Sequence, residues 1–276
     1  MSSGANVPPN MDKDSPRSPR FEVRFAVSPA EILETQRLRY RIFAGELGAS
    51  IDGGDAQIDA DQYDAYCRHL TVREVGSGRL VACTRILTDE QAPRAGGFYS
   101  SGEFDLKMID SLPGRVMEVG RTCVDAEFRG GAVIAVLWAG LAEFIVNEGF
   151  DYLFGCASIG LEDGGANAHA LLEQIKAKHL APHWQHVRPL IPLPAADARP
   201  TQKFRMPALL KAYFSLGAKA CGEPYWDRDF NCADVFVLVN VSDMHSRYAR
   251  HFLARSGETE KADSQAIVLS HPPKPV

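Results

Sequence analysis

The sequence predicts a single folded domain that mixes helices with strands, in the α/β or α+β class. Three observations carry this. Between residues 21 and 254, helical and strand-like apolar patterns alternate with no long linker. The 276 residues are 45% hydrophobic and 24% charged, which is enough apolar material for a large core and excludes a mainly disordered or fibrous chain. No internal repeat is visible, and residues 1–20 and 255–276 lack apolar periodicity and read as disordered tails.

The elements follow in order. Ser28-Pro29-Ala30-Glu31 is a helix start, with Ser28 as cap, Pro29 at the first position and Glu31 closing a capping box. The helix runs through Ile32, Leu33, Leu38 and Ile42. Residues 48–66 are rich in Gly and Asp and read as a loop. His69–Glu74 and Leu80–Leu87 are strands joined by the turn Gly76-Ser77-Gly78, a hairpin. Val116–Val124 is a strand, and Gly130-Gly131 leads into an apolar helix at 132–148. A strand at Tyr152–Ser158 precedes a helix at Ala166–His179. Prolines break the pattern at 182–207 before a helix at 207–219 and a last strand at Asp234–Val241.

Charge and cysteine narrow the classes. A net charge of −5 argues against a protein that coats nucleic acid. The six cysteines, at 67, 83, 123, 156, 221 and 232, form no C-x-x-C spacing and read as free thiols in a reducing cytoplasm. Met1–Arg20 has no apolar core of a secretory signal. The most apolar stretch, Ala132–Val146, is 15 residues long and contains Glu143, short of the ~20 residues a span requires. The chain therefore reads as cytoplasmic, at most peripheral to the inner face of a membrane. His179, His183 and His186 lack an accompanying Cys or carboxylate, so no metal site is expected.

Chemistry concentrates in three places. Glu118 and Arg121 stand three apart on one strand. Strict alternation would put them on opposite faces, but a bulge at Gly120 would bring them to one pocket. Arg129-Gly130-Gly131 offers glycines and a helix start, features that suit a phosphate; a plain strand-to-helix turn would look the same. Arg39 and Phe43 share a helix face, Asp61 and Asp64 lie in the loop, and Arg85 sits in an apolar run, where it needs a carboxylate partner. These acids and arginines form either a substrate pocket or a structural ion-pair network.

Together the patterns R-x-x-x-F, D-x-x-D, R-I-L and E-x-x-R, standing here as Arg39/Phe43, Asp61/Asp64, Arg85-Ile86-Leu87 and Glu118/Arg121, resemble the N-acyl-homoserine lactone synthases of the GNAT-like superfamily. Residues 21–254 are more similar to the bacterial ornithine lipid N-acyltransferases, also called hemolysin-like. The matching stretches include Gly96-Gly97-Phe98-Tyr99-Ser100, Glu118-Val119-Gly120-Arg121, Arg129–Ile134, Gly155–Ser158 and Asp227–Phe230.

The resemblance implies an α+β GNAT-like fold, a central mixed sheet flanked by helices. It implies transfer of a 3-hydroxyacyl group from acyl carrier protein to the α-amine of ornithine, giving lyso-ornithine lipid. No tightly bound cofactor is implied; the donor arm is the carrier's phosphopantetheine. Within that reading Glu118 is the base for the attacking amine, and a backbone N–H near Val119 or Gly120 faces the thioester oxygen. Arg121, Arg39 and Arg85 serve carboxylate recognition or hold the acids, Phe43 belongs to the substrate wall, and Asp61 and Asp64 are candidates for the cationic side chain of ornithine. Arg129–Ile134 departs from the superfamily's pyrophosphate pattern Q/R-x-x-G-x-G/A, but a carrier-bound pantetheine, with one phosphodiester and no nucleotide, needs a smaller cradle. From Lys176 to Lys219 there are eight Lys and Arg and one Asp. That basic face, including Lys203, Arg205 and Lys211, suits an acidic carrier protein. The alternatives are an N-acyl amino acid synthase acting on glutamine or glycine and, from another class, a non-catalytic membrane-associated protein.

Overall fold

The computed structural model describes residues 20–51, 54–195 and 206–244. The chain enters on β1 (Phe21–Phe25), a strand absent from the expected elements although its F-E-V-R-F alternation has the period of a half-buried edge. Next comes α1 (Pro29–Tyr40), started by the expected capping box between Ser28 and Glu31. The helix was expected to continue through Ile42; instead it widens at Tyr40 into a π-helical turn, Arg41–Glu46, that buries Ile42. The expected hairpin forms from β2 (Arg68–Glu74) and β3 (Leu80–Thr88).

Between residues 92 and 110 lie four short elements that carry no periodicity to read: α2 (Ala92–Ala95), a 3₁₀ turn (Tyr99–Gly102), β4 (Phe104–Asp105) and α3 (Lys107–Asp110). Then come β5 (Val116–Val124) and α4 (Ala132–Glu148). Gly131 and Gly149 bound α4 in the left-handed conformation, with φ of +96° and +72°, which other residues adopt only at a cost. β6 (Tyr152–Gly160) and α5 (Ala166–His179) follow. After β7 (Arg188–Pro189), α6 (Ala208–Leu216) is shorter than expected because Gly217, at φ +100°, caps it. The chain ends its described course through β8 (Lys219–Ala220), β9 (Tyr225–Asp227) and β10 (Cys232–Asn240).

Seven strands line up in the order β1-β2-β3-β5-β6-β10-β8, and β9 also pairs with β10. Only β5 and β6 run parallel, joined by α4; the other neighbours are antiparallel. The sheet is thus mixed and flanked on both faces, as expected. On one face α4, α5 and α6 pack on the main core, which includes Val72, Ile86, Met117, Leu153 and Val237. The opposite face receives α1 through Leu38 and Ile42 against Cys83 and Cys123, and α3 through Met108 and Ile109 against Val116, Phe154 and Phe236.

Two irregularities mark β5. Arg85 pairs with Gly120, but Cys83, two residues along, pairs with Cys123, three residues along. One extra residue therefore sits in β5, a bulge. The residue that takes the left-handed conformation there is Arg121, at φ +51°, rather than Gly120. Just before the bulge, β5 parts from β6. Their parallel pairing covers Val116↔Tyr152, Met117↔Leu153 and Glu118↔Phe154 and then stops. At the parting point a Cβ on Gly155 would lie 2.2 Å from the Val119 carbonyl oxygen, so only glycine permits this approach.

Candidate active site

Three arginines from three elements converge on one loop. Arg39 from α1 bonds Asp59 through Nε at 3.0 Å and Asp64 through Nη1 and Nη2 at 2.8 Å each. Arg85 from β3 bonds Asp61 at 2.6 Å and Asp64 at 2.9 Å. Arg121 from β5 adds ion pairs to Asp59 at 3.2 Å and Asp61 at 3.8 Å. Asp61 also caps a short 3₁₀ turn, Gln62–Ala65, and Asp64 closes its capping box. Arg39, Asp59, Asp64 and Arg85 are buried. Burial alone would raise the Asp64 carboxyl, but Arg39 and Arg85 outweigh it and hold it far below the usual carboxylate range.

The acids and arginines form one ion-pair network, and Asp61 and Asp64, expected to face the side-chain ammonium of ornithine, are turned to guanidinium groups. Both oxygens of Asp64 and Oδ1 of Asp61 accept from guanidinium groups, Oδ2 of Asp61 accepts no hydrogen bond, and neither residue lines the adjoining cavity. Arg39 is likewise enclosed in the network. Asp59, which completes it, was not singled out, because a buried acid in a polar loop has no sequence signal until its arginines are placed.

Beside the network lies a cavity of about 360 Å³. It occupies the gap where β5 and β6 part, with Val119, Gly120, Arg121 and Thr122 on one side and Cys156, Ser158 and Gly160 on the other. Glu118 and Arg121 both line it, together with Phe43 and Arg85. The Arg121 guanidinium lies between two rings, 4.8 Å from Tyr99 and 5.0 Å from Phe230, and its Nε donates no hydrogen bond. Phe43 meets Phe230 edge-on at 6.0 Å.

Glu118 is enclosed by donors. Its Oε2 accepts the Tyr99 N–H at 2.6 Å, and its Oε1 accepts the Ser100 N–H at 2.8 Å and the Ser100 hydroxyl. Burial raises its carboxyl above the usual value in spite of these bonds. From Ser100 the contacts continue to the Cys156 thiol at 3.4 Å, which donates to Glu103 at 3.1 Å. Glu103, Asp227 and Asp234 complete an acidic end of the cavity. In the sequence, Asp227 stands out only as part of a matching stretch, and the other two were not singled out. Their one available signal is an acid inside an apolar strand, Cys232-Ala233-Asp234-Val235.

Of the residues expected to hold the donor, those described do not line the cavity. Arg129 is exposed and bonded to the Val124 carbonyl at 2.9 Å and to Glu46 at 2.5 Å; Gly130 and Gly131 are exposed at the start of α4, and none of the three lines the cavity. Lys211 is exposed on α6, whose Leu209 lines the cavity. Lys203 and Arg205 lie outside the described residues. All six cysteines are free. His179 stacks on Phe214 at 4.0 Å, and among the described residues no helix is long and apolar enough to cross a membrane.

A mixed sheet that parts around a buried carboxylate and an arginine is the frame of an acyltransferase, and residues 38–139 match the acetyltransferase (GNAT) domain family. Two CoA-dependent acyl-homoserine lactone synthases share the fold. BjaI superposes with a TM-score of 0.51 at 15% identity, covering 83% of this chain and 89% of its own. MesI does so with a TM-score of 0.51 at 13% identity, covering 91% and 100%. Closer in sequence are proteins named L-ornithine N(alpha)-acyltransferase. That of Rhodobacter capsulatus is 32% identical over 85% of this chain and 95% of its own length; that of Brucella abortus is 33% identical over 86% and 90%. The chain is an N-acyltransferase and belongs to the L-ornithine N(alpha)-acyltransferase family.

Proposed function

We propose that this enzyme moves a 3-hydroxyacyl group from the phosphopantetheine of acyl carrier protein onto the α-amine of L-ornithine, releasing lyso-ornithine lipid. The observation that carries the chemistry is the convergence of Glu118 and Arg121 on one cavity, next to family relatives named for this acceptor. The α-carboxylate of the amino acid pairs with Arg121, whose side chain lines the cavity. The neutral α-amine attacks the thioester carbonyl, forming the C–N bond, and its proton passes to Glu118, directly or through one water. The tetrahedral oxygen is met by main-chain N–H groups at Val119–Gly120, which border the cavity. Collapse breaks the C–S bond, and the pantetheine thiolate leaves with the proton Glu118 had taken.

The basic stretch from Lys176 to Lys219 receives the carrier, with Lys211 exposed on α6, the helix whose Leu209 lines the cavity. The reaction takes place in the cytoplasm, in peripheral contact with the membrane into which its amphiphilic product partitions. The test is a reaction of the purified protein with 3-hydroxyacyl carrier protein and competing ornithine, glutamine and glycine, read by mass spectrometry. An amide on the ornithine α-nitrogen is expected. Preferred acylation of glutamine or glycine would instead make it an N-acyl amino acid synthase of another specificity.

A further inference from the structure

The cavity has an acidic end that the reaction above does not use. Glu103 and Asp234 are only 6% and 4% exposed and line the cavity wall. Among the described residues, Oε2 of Glu103 accepts the Cys156 thiol, and Oε1 accepts nothing. Oδ1 of Asp234 accepts the Ser158 hydroxyl at 2.6 Å and the Cys232 thiol at 3.6 Å, and Oδ2 accepts nothing. Neither forms an ion pair among the described residues, in contrast to Asp59, Asp61 and Asp64 of the neighbouring network, each of which is paired with an arginine. Asp227 stands beside them, with one oxygen free of the turn that its other oxygen caps; its carboxylate lies within 4.8 Å of that of Asp234 and of the Cys232 sulfur. Carboxylates buried without a countercharge destabilise a fold unless a cation arrives with a ligand.

We propose that Glu103 and Asp234, with Asp227 beside them, receive the side-chain ammonium of ornithine and so select a diamino acid over neutral ones. The inference rests on the ornithine reaction proposed above. It also accounts for which nitrogen reacts. The side-chain nitrogen stays protonated among carboxylates and is no nucleophile, while the α-nitrogen lies near Glu118, separated from Glu103 by the Ser100 and Cys156 side chains.

The test compares kcat/KM for ornithine with that for norvaline, the same skeleton lacking the second amine. Wild type is expected to favour ornithine. Asp234→Asn and Glu103→Gln, each checked by thermal melting, should each shrink that preference roughly 10- to 100-fold, with the norvaline rate falling far less and acylation of the side-chain nitrogen appearing. An unchanged ratio in a folded variant would overturn the proposal. A wild type that ignores ornithine or prefers glutamine would instead overturn the reaction on which it rests.

Wild type alone gives a second readout. Burial first, then each other's negative charge and that of Asp227, raises the Glu103 carboxyl; burial and Asp227 raise that of Asp234. The charged and titratable groups facing the pair are Asp227, Glu118, Arg121, Cys156, Cys232, Tyr99 and Tyr225. The ornithine-to-norvaline ratio cancels what both substrates share, the α-amine and Glu118. It should therefore rise from mildly acidic to mildly basic pH as the acids ionise, and a flat ratio would count against the proposal. Loss of the ratio on adding a chelator would assign Asp227, Cys232 and Asp234 to a metal ion and would also overturn it.

Discussion

Asp64 and Glu118 are both buried acids, and their surroundings give them opposite tasks. Asp64 has guanidinium groups on both oxygens, so it is held ionised, and its work is to fix the loop against α1 and β3. Replacing it with Asn leaves Arg39 and Arg85 under-compensated in the interior and should cost about 3–5 kcal/mol of stability, read by urea unfolding. Because its folded carboxyl titrates below the unfolded one, that stabilisation is complete above about pH 4 and is lost as the pH falls further. Glu118 meets main-chain N–H groups and one hydroxyl instead of cations, so burial prevails and its carboxyl is raised. Glu118→Gln keeps an acceptor for one N–H of the Tyr99–Ser100 turn, sets its NH2 against the other and cannot take a proton; kcat should fall roughly 100- to 10,000-fold, while stability falls by only about 1–3 kcal/mol. In wild type the acid limb of kcat/KM should lie above the ordinary carboxylate value of about 4.3, since the base form is lost as pH drops through a raised pKa. Glu118 was legible as chemistry because an acid in an apolar strand is conspicuous. The task of Asp64 was not, because its three-residue spacing from Asp61 suits a capped turn and a binding pair equally well.

At the scale of elements, the bounds of β5 and its bulge are legible in the chain, yet the unusual backbone falls on a different residue from the one expected. Glycine tolerates a left-handed conformation at no steric cost, which made Gly120 the natural candidate. Arg121 adopts it because the two flanking rings and the Asp59 carboxylate hold the guanidinium in place, offsetting a cost of roughly 1 kcal/mol or more. Arg121→Lys should therefore lower activity more than it lowers stability, since an ammonium lacks the flat face that lies between Tyr99 and Phe230; KM for the amino acid is the quantity to measure. The contact of Gly155 with the Val119 carbonyl, by contrast, was invisible in the chain, because it joins two strands that only the fold makes neighbours. Gly155→Ala forces a methyl against main chain 2.2 Å away. It should destabilise the protein by about 1–3 kcal/mol and reduce turnover by displacing β6 from the cavity.

Over the whole molecule, charge is divided unevenly. The chain carries −5 overall, while the stretch from Lys176 to Lys219 holds eight basic residues and a single acid. Part of that stretch is α6, next to the cavity. If it receives the carrier, Lys211→Glu should raise the carrier's KM several-fold without changing kcat, and the KM of wild type should rise with ionic strength, because exposed charges are screened within about 10 Å at 0.1 M salt. A KM indifferent to both would remove this face from carrier recognition. The helix-and-strand content of this architecture was legible, since each long element has its own apolar period. Its strand order and the short pairings of β4 with β7 and β8 with β10 were not, because two-residue strands have no period and exist only by virtue of their partners.

The parting of β5 from β6 gives the sheet something an intact one lacks: two edges in its interior, facing each other across a slot. A sheet edge offers a row of main-chain donors and acceptors to any extended chain that reaches it. A pantetheine arm, long, slender and bearing two amides, can lie in such a slot as a substitute strand. Recognition of that kind is written in the main chain, so a side-chain substitution along the slot that leaves the backbone in place leaves those donors and acceptors where they are.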